Sequence, residues 1–206
     1  RGVQVIDLEG LANHRGSLFG ARPGGQPSQK AFEGRLALAF AGLDPARPVV
    51  VEAESSKIGD LALPKPLWAV MGAAPRIRIA APRGARAAYL ARAYGDLCAD
   101  PAALAGVVAK LRPLHAAEVI DDWLALAGTG AFEALADSLM ERHYDPRYEK
   151  HRARFAEAAV VEAPALDDAG LARVAEAVEA ASRTLAAPAR LAWDASGGGI
   201  SAKKKS

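Results

Sequence analysis

The sequence predicts an α/β fold, with a wound parallel sheet in the first half of the chain and mainly helices in the second half. Three short apolar runs, over residues 2–8, 48–53 and 76–80, are typical of strands. A segment with helical spacing of apolar residues follows each run, and this β-α-β-α-β-α order favours parallel strands joined by crossover helices. A chain of 206 residues with 51% hydrophobic composition is long enough for one well-buried domain.

Local signals predict each element of the first half. The valine run Val49–Val51 suits a strand that is buried on both faces. The helix over 29–42 begins after Ser28, a residue type that caps helix N-termini. Prolines introduce the helices predicted over 65–73 and 84–97, where their fixed backbone angle favours the first helical turn.

The second half is alanine- and leucine-rich. It predicts helices over 101–111, 115–127, 130–143 and 167–187, and one further strand over 158–162. Residues 1–100 are therefore expected to form the α/β core and residues 101–190 a helical extension of the same domain. The glycine- and lysine-rich segment 191–206 is expected to be a disordered tail.

Several classes of protein are disfavoured by composition. No apolar run reaches the length of a membrane span, and the first residues lack the layout of a signal peptide. Cys98 is the single cysteine, so an internal disulfide is excluded, as is usual in a reducing cytoplasm. No histidine lies close to Cys98 in sequence, which favours a structural thiol over a nucleophile. We expect a cytoplasmic protein that has no membrane contact.

Two polar loops follow predicted strands, where open α/β sheets place their ligand sites. The first loop contains the candidate binding residues Asn13, His14, Arg15 and Ser17, with Glu9 just before them. In the second loop, Glu52 and Glu54 share strand parity and so point to the same side. The alternative for both loops is a solvated surface.

The second loop has the chemistry of a phosphate or magnesium site. Ser55, Ser56 and Lys57 offer two hydroxyl groups and an ammonium beside Glu54. Carboxylate and hydroxyl oxygens suit a hydrated Mg²⁺, with Glu54 as the candidate ligand, and a lysine suits a phosphate oxygen. The alternative is that Glu54 caps a turn and that Lys57 is solvated.

Two basic segments are candidate RNA contacts. Residues 61–95 contain no acid, and Arg78, Arg83 and Arg86 lie among their positive charges, which attract phosphates. A second cluster contains His143, Tyr144 and Arg147, where aromatic rings beside a guanidinium suit an unstacked base. The alternatives are solvated arginines in the first segment and helix packing in the second.

Four blocks of residues, in order along the chain, resemble the carboxy-terminal P-loop domain of bacterial tRNA 2-selenouridine synthases. They are Leu8-Glu9-Gly10-Leu11-Ala12-Asn13-His14-Arg15-Gly16-Ser17 with Phe19-Gly20; Gln26-Pro27-Ser28-Gln29 with Phe32-Glu33; Val51-Glu52-Ala53-Glu54-Ser55-Ser56-Lys57-Ile58-Gly59 with Leu63-Pro64 and Met71; and His143-Tyr144-Asp145-Pro146 with Tyr148. The resemblance covers roughly residues 1–160. It implies a P-loop NTPase-like wound sheet and adds Gln26 and Gln29 to the candidate tRNA contacts.

The resemblance also implies an activity. Enzymes of this family convert wobble 2-thiouridine of tRNA to 2-selenouridine through an S-geranyl intermediate, with geranyl diphosphate and selenophosphate as substrates. The family's catalytic cysteine lies in an N-terminal rhodanese-like domain, so no catalytic residue is expected among residues 1–206. The sequence departs from the family in lacking this domain and a G-x-x-x-x-G-K-[ST] loop. The resemblance implies that the chain begins after the first strand, phosphate loop and first helix of the fold.

Two other functions stay open on the sequence. One is a non-catalytic RNA-binding module that uses the acid-free segment 61–95. The other is a P-loop nucleotide or metabolite kinase relative. The sequence leaves open whether any nucleotide binds.

Overall fold

The computed structural model describes residues 3–53, 55–153 and 155–186. The strands are β1 (Gln4–Ile6), β2 (Val49–Val51), β3 (Lys57–Ile58), β4 (Leu61–Ala62), β5 (Arg76–Ala80) and β6 (Glu157–Glu162). The α-helices are α1 (Leu8–Ala12), α2 (Gln29–Ala41), α3 (Lys65–Ala73), α4 (Arg83–Ala93), α5 (Gly95–Cys98), α6 (Pro101–Ala109), α7 (Ala117–Gly128), α8 (Phe132–Leu139), α9 (Asp145–Arg152) and α10 (Asp168–Leu185). A 3₁₀ turn at Arg112–Leu114 precedes α7, and a π-helical turn at Met140–Tyr144 joins α8 to α9.

The first core lies against the parallel pair of β1 and β2. Ile6 pairs with Val51 in this ladder, and Ile6 is buried together with Leu8 of α1 and with Phe32 and Leu36 of α2. Helix α2 begins as predicted, because the Ser28 side chain accepts a hydrogen bond from the amide of Ala31. These apolar contacts fix the carboxyl ends of β1 and β2 side by side.

A short antiparallel hairpin, β3–β4, follows β2 and was not predicted. Its turn contains Gly59, whose φ of 58° is in the left-handed region. A Cβ atom on Gly59 would lie 2.2 Å from Oε1 of Gln26. The glycine is therefore required both by the backbone angle and by the close approach of this amide.

The second parallel pair, β5 with β6, packs on α10. Val161, Ala163 and Val174 are buried there, with Ile77 packed beside them. A separate helical core forms where α6, α7 and α8 meet around Trp123, which is fully buried. The indole N–H of Trp123 donates to Oγ of Ser138 at 2.9 Å, so its polar group is satisfied.

The structure confirms the mixed α/β class, and a single wound sheet is not seen among the described residues. The strands instead form two separate parallel pairs and the hairpin. An open cleft of about 1930 Å³ lies between the pairs, lined by residues of both β2 and β5. Arg76 bridges the cleft, because its Nη1 atom donates to the carbonyl of Ala53 at 3.0 Å.

The predicted strands at 48–53, 76–80 and 158–162 are all present, although β2 is shorter than expected. The predicted tail at 191–206 lies outside the described residues. None of the helices in the described part of the chain combines the length and the apolar character that a bilayer-crossing segment needs.

Candidate functional site

A pocket of about 100 Å³ lies at the carboxyl ends of β1 and β2, and we call it the strand-end pocket. Its lining residues are Glu9, Gly16, Glu52, Ser55, Lys57, Ile58 and Tyr148. The volume is that of a few water molecules, which suits a phosphate group or a hydrated cation. Glu9, Glu52 and Tyr148 also line the large cleft, so the strand-end pocket opens onto it.

Glu52 is the carboxylate at the end of β2. Its Oε1 atom accepts a hydrogen bond of 2.7 Å from the amide of Glu9, in the first turn of α1. Burial raises the pKa of Glu52, against the lowering effect of that hydrogen bond. A partly desolvated carboxylate of this kind is stabilised by a proton or by a cation that enters the pocket.

Glu9 brings a second carboxylate to the strand-end pocket. Gly16 faces it with a φ of 75°, and a Cβ atom there would lie 2.7 Å from Oε1 of Glu9. A side chain at position 16 would displace the carboxylate. The glycine therefore lets the loop pass close to Glu9.

The polar residues after β2 are only partly where the sequence placed them. Ser55 and Lys57 line the pocket, and Oγ of Ser55 accepts from the Lys57 amide at 3.0 Å. Lys57 is exposed and makes no ion pair with another residue that the structure describes. Ser56 is half-buried and does not line the pocket. Glu54, the predicted metal ligand, lies outside the described residues.

Arg15 and Ser17 point to α5 and its preceding residue instead of lining the strand-end pocket. Arg15 Nη2 pairs with Asp96 at 2.7 Å, and its guanidinium lies 4.8 Å from the ring centre of Tyr94. Oγ of Ser17 lies 3.0 Å from the hydroxyl of Tyr94. Both residues line the large cleft, and neither lines the strand-end pocket.

The side-chain amides predicted to contact tRNA form hydrogen bonds with backbone groups of the protein. Asn13 donates to the carbonyls of Pro23 and Gly25. Gln26 donates to the Ile58 carbonyl and accepts from the Asp60 amide, and Gln29 holds both backbone groups of Ala62. These side chains fasten the loop after α1 and the hairpin β3–β4, which favours an architectural role.

His14 belongs to the same loop. Its Nδ1 atom accepts from the Gly16 amide at 3.1 Å, and its backbone forms a bridge with Ala21. Burial lowers the pKa of His14. The neutral imidazole thus stabilises the turn that leads to Gly16.

Acids from distant parts of the chain pair with the three candidate arginines of the acid-free segment. Arg78 pairs with Glu157 at 2.8 Å. Arg83 pairs with Asp137 and Glu141 on the α8 side, at 2.8 and 2.9 Å. Arg86 forms a bidentate pair with Asp145 at the start of α9, with distances of 2.7 and 2.8 Å, and this pair lowers the pKa of Asp145. The guanidinium groups therefore connect elements of the fold, and their contact with tRNA stays a prediction.

His143 and Tyr144 are mostly enclosed. His143 is 8% exposed as a residue. Its Nδ1 atom lies 2.9 Å from Nε2 of His115, and its ring contacts the guanidinium of Arg147. Burial, followed by the Arg147 charge, lowers the pKa of His143 to about 4. Burial raises the pKa of Tyr144 to about 12. Neither ring is presented to solvent as a base-stacking surface.

Three polar residues of the pocket, Glu9, Glu52 and Tyr148, were not among the sequence-predicted site residues. Glu52 shares strand parity with Glu54, and this signal was present in the sequence, whereas Glu9 lies in the first turn of α1, where strand parity does not apply. Tyr148 comes from α9, and no local pattern could place it beside Lys57. Long-range packing alone decides that both residues line the same pocket.

The pocket's fit to Mg²⁺ depends on Glu9 and Glu52. Among the described residues, no three carboxylate, imidazole or thiol groups converge as metal ligands. Two carboxylates are nevertheless sufficient for Mg²⁺, which keeps several waters and commonly shares the phosphate oxygens of a substrate. The carboxylates of Glu9 and Glu52 therefore fit a Mg²⁺ ion that is also bound by the phosphate oxygens of a substrate.

Comparison with known proteins relates the chain to one family. Residues 2–109 match the family model of the tRNA 2-selenouridine synthase AAA domain. Proteins named tRNA 2-selenouridine synthase are similar to the chain. The Alcanivorax borkumensis protein is 54% identical over 77 residues, which are 36% of this chain and 21% of that protein. The Bordetella bronchiseptica protein is 34% identical over 175 residues, with 71% of this chain and 48% of that protein covered.

A third relative, from Hahella chejuensis, is 35% identical over 148 residues, which are 69% of this chain and 33% of that protein. The chain thus spans between about a fifth and about half of the length of these curated relatives. No solved structure gives a significant match. The matched domain covers more than half of the sequence, including the strand-end pocket except for Tyr148. The chain belongs to the tRNA 2-selenouridine synthase family.

Proposed function

We propose that this chain supplies the diphosphate- and tRNA-binding domain of an enzyme that converts wobble 2-thiouridine in tRNA to 2-selenouridine through an S-geranyl intermediate. Membership in the family supports the tRNA-modifying role. The observation that carries the proposal is the strand-end pocket, where Lys57 and Ser55 face Glu9 and Glu52 in a phosphate-sized space.

The residues of the strand-end pocket have distinct roles in this proposal. Lys57 and Ser55 bind the diphosphate oxygens of geranyl diphosphate, where negative charge builds as the geranyl group leaves. Glu52 and Glu9 hold a hydrated Mg²⁺, which would neutralise part of that charge when bound. Because burial raises the pKa of Glu52, a cation also relieves the cost of the enclosed carboxylate.

The selenium step needs chemistry that we assign to another part of the enzyme. Burial raises the pKa of the Cys98 thiol, which makes it a poor nucleophile. We assign the selenophosphate-dependent step to the cysteine of a rhodanese-like domain in the same protein, as the family resemblance implies. A cytoplasmic location follows from the proposed tRNA substrate.

We also propose that the two parallel pairs belong to one P-loop NTPase-like wound sheet. A further parallel strand, which carries the phosphate loop of a P-loop sheet, would lie in the cleft between β2 and β5. The exposed apolar side chains around the two parallel pairs support it, since Val5 is 67% and Ile79 is 51% exposed. Such a strand would join the two pairs into one wound sheet.

The test is geranylation by the natural polypeptide that contains these residues. Lys57→Ala and Glu52→Gln should each slow S-geranylation of thiolated tRNA by roughly ten- to a hundredfold, as expected for the loss of a charge-assisted contact of about 1.5–3 kcal/mol. Lys65→Ala removes an exposed lysine of α3 that does not line the pocket, and it should leave the rate unchanged. Selenation of tRNA that already carries the geranyl group should persist in all three variants. Normal geranylation by Lys57→Ala and Glu52→Gln would disprove the proposed role of the pocket.

The second candidate function is RNA binding without catalysis. The exposed face of α9, which carries Arg147 and Tyr148, favours it. A binding module of this kind would bind anticodon stem-loops with a steep salt dependence and would ignore geranyl diphosphate. Titration with both ligands separates the two functions.

A further inference from the structure

Helix α9 brings an aromatic ring to the strand-end pocket. Tyr148 lines this pocket together with Lys57, although 91 positions of sequence separate the two residues. The Tyr148 side chain is 40% exposed, whereas its neighbour Tyr144 is half-buried. The ring that can meet a ligand is therefore Tyr148.

Tyr144 supports the ring of Tyr148 from behind. The two rings are stacked, with centroids 6.2 Å apart and an angle of 24° between their planes. Tyr144 is in turn held edge-on by His143, at a centroid distance of 4.8 Å. This series of rings limits the orientations of Tyr148 and so prepares it to stack with a flat partner.

The start of α9 is fixed by the bidentate pair between Arg86 and Asp145. Tyr148 lies one helical turn beyond Asp145, so this ion pair sets the position of the ring at the pocket. Arg86 is then a positioning residue, and its charge is engaged with Asp145.

A flat ring beside a lysine ammonium in a phosphate-sized space is an arrangement that suits a nucleotide. Base–aromatic stacking tolerates any base, and a lysine binds phosphate oxygens. Building on the proposed function, we infer that Tyr148 stacks on the unstacked wobble base of the tRNA, and that the strand-end pocket holds the phosphate chemistry beside it. The thiolated base would thus be held next to geranyl diphosphate, so that its sulfur can bond to the geranyl carbon while the diphosphate leaves.

Binding of anticodon stem-loop RNA with 2-thiouridine at the wobble position tests this inference. Tyr148→Leu should weaken binding by between about fivefold and a hundredfold, and Tyr148→Phe should bind as the wild type does, because the ring is kept. Tyr89→Leu is the matched control, since Tyr89 is a similarly exposed tyrosine that lines the large cleft and not the pocket. It should bind RNA normally.

A second RNA, with an abasic wobble position, identifies the contact. If Tyr148 stacks on the wobble base, the abasic RNA and Tyr148→Leu each remove the same interaction, and their effects on affinity are not additive. Additive losses, or normal RNA binding by Tyr148→Leu, would overturn the inference. A raised KM for geranyl diphosphate with unchanged RNA affinity would assign Tyr148 to the isoprenoid chain and would also overturn it. The geranylation test of Lys57→Ala and Glu52→Gln decides the proposed function, and its outcome does not depend on these RNA-binding measurements.

Discussion

Acid should destabilise this protein through His143, and the structure gives the size of the effect. The pKa of His143 is about 4 in the folded protein, and an unfolded histidine has a pKa near 6.5. Because the folded pKa is the lower one, the unfolded chain binds more protons as the pH falls below about 6.5. Stability is therefore lost through this window, and the loss is complete below about pH 4.

The full shift of about 2.5 pKa units corresponds to roughly 3 kcal/mol. About 2 kcal/mol of this is lost between pH 7 and pH 5. The physical cause is that the enclosed ring lies against His115 and the Arg147 guanidinium, so a proton on it is both desolvated and repelled. The pKa of His115 is also lowered by burial, and its contribution has the same sign.

Urea denaturation at pH 7, 6 and 5, followed by circular dichroism, measures the effect. His143→Gln keeps a polar side chain but cannot take up the proton, so the free energy of unfolding should fall much less between pH 7 and pH 5. His14→Gln, in the loop before Gly16, is the control and should keep most of the wild-type fall. If His143→Gln loses stability as steeply as the wild type, the reasoning from the enclosed imidazole is wrong.

Two further predictions concern the hairpin and the acid-free segment. Gly59→Ala should lower the free energy of unfolding by at least about 1–2 kcal/mol, since it strains a left-handed backbone and displaces the Gln26 amide. Gly72→Ala, in the last turn of α3 where a Cβ atom meets no neighbour, should instead be neutral or stabilising. Thermal melts of both variants check this, and an unchanged melt for Gly59→Ala would contradict it. Arg83→Ala should leave the salt dependence of tRNA binding unchanged, because Asp137 and Glu141 already neutralise this arginine. A fall in the salt slope of about 0.7–0.9 would instead show a direct phosphate contact.

Most elements of the fold could be predicted from local sequence. Helix α2 follows from Ser28 and the spacing of Phe32 and Leu36, and β2 follows from three consecutive valines. Capping and apolar periodicity act within a few residues, so a single sequence contains them. The hairpin β3–β4 was missed because its strands have two residues each, and Gln26 and Gln29, more than twenty residues earlier, hold its backbone groups.

The sequence by itself determined the α/β class, the family, and the position of Ser55 and Lys57 shortly after β2. Only the tertiary structure decided which polar side chains bond to other parts of the protein and which line a pocket where a ligand can bind. Arg86 is a predicted RNA contact, and only the fold shows that Asp145, far along the chain, forms an ion pair with it. Tyr148 had no local signal for a role at the strand-end pocket, and α9 brings it there. Charge and aromatic character are properties of a residue, but their availability depends on neighbours that only the packing of distant segments supplies.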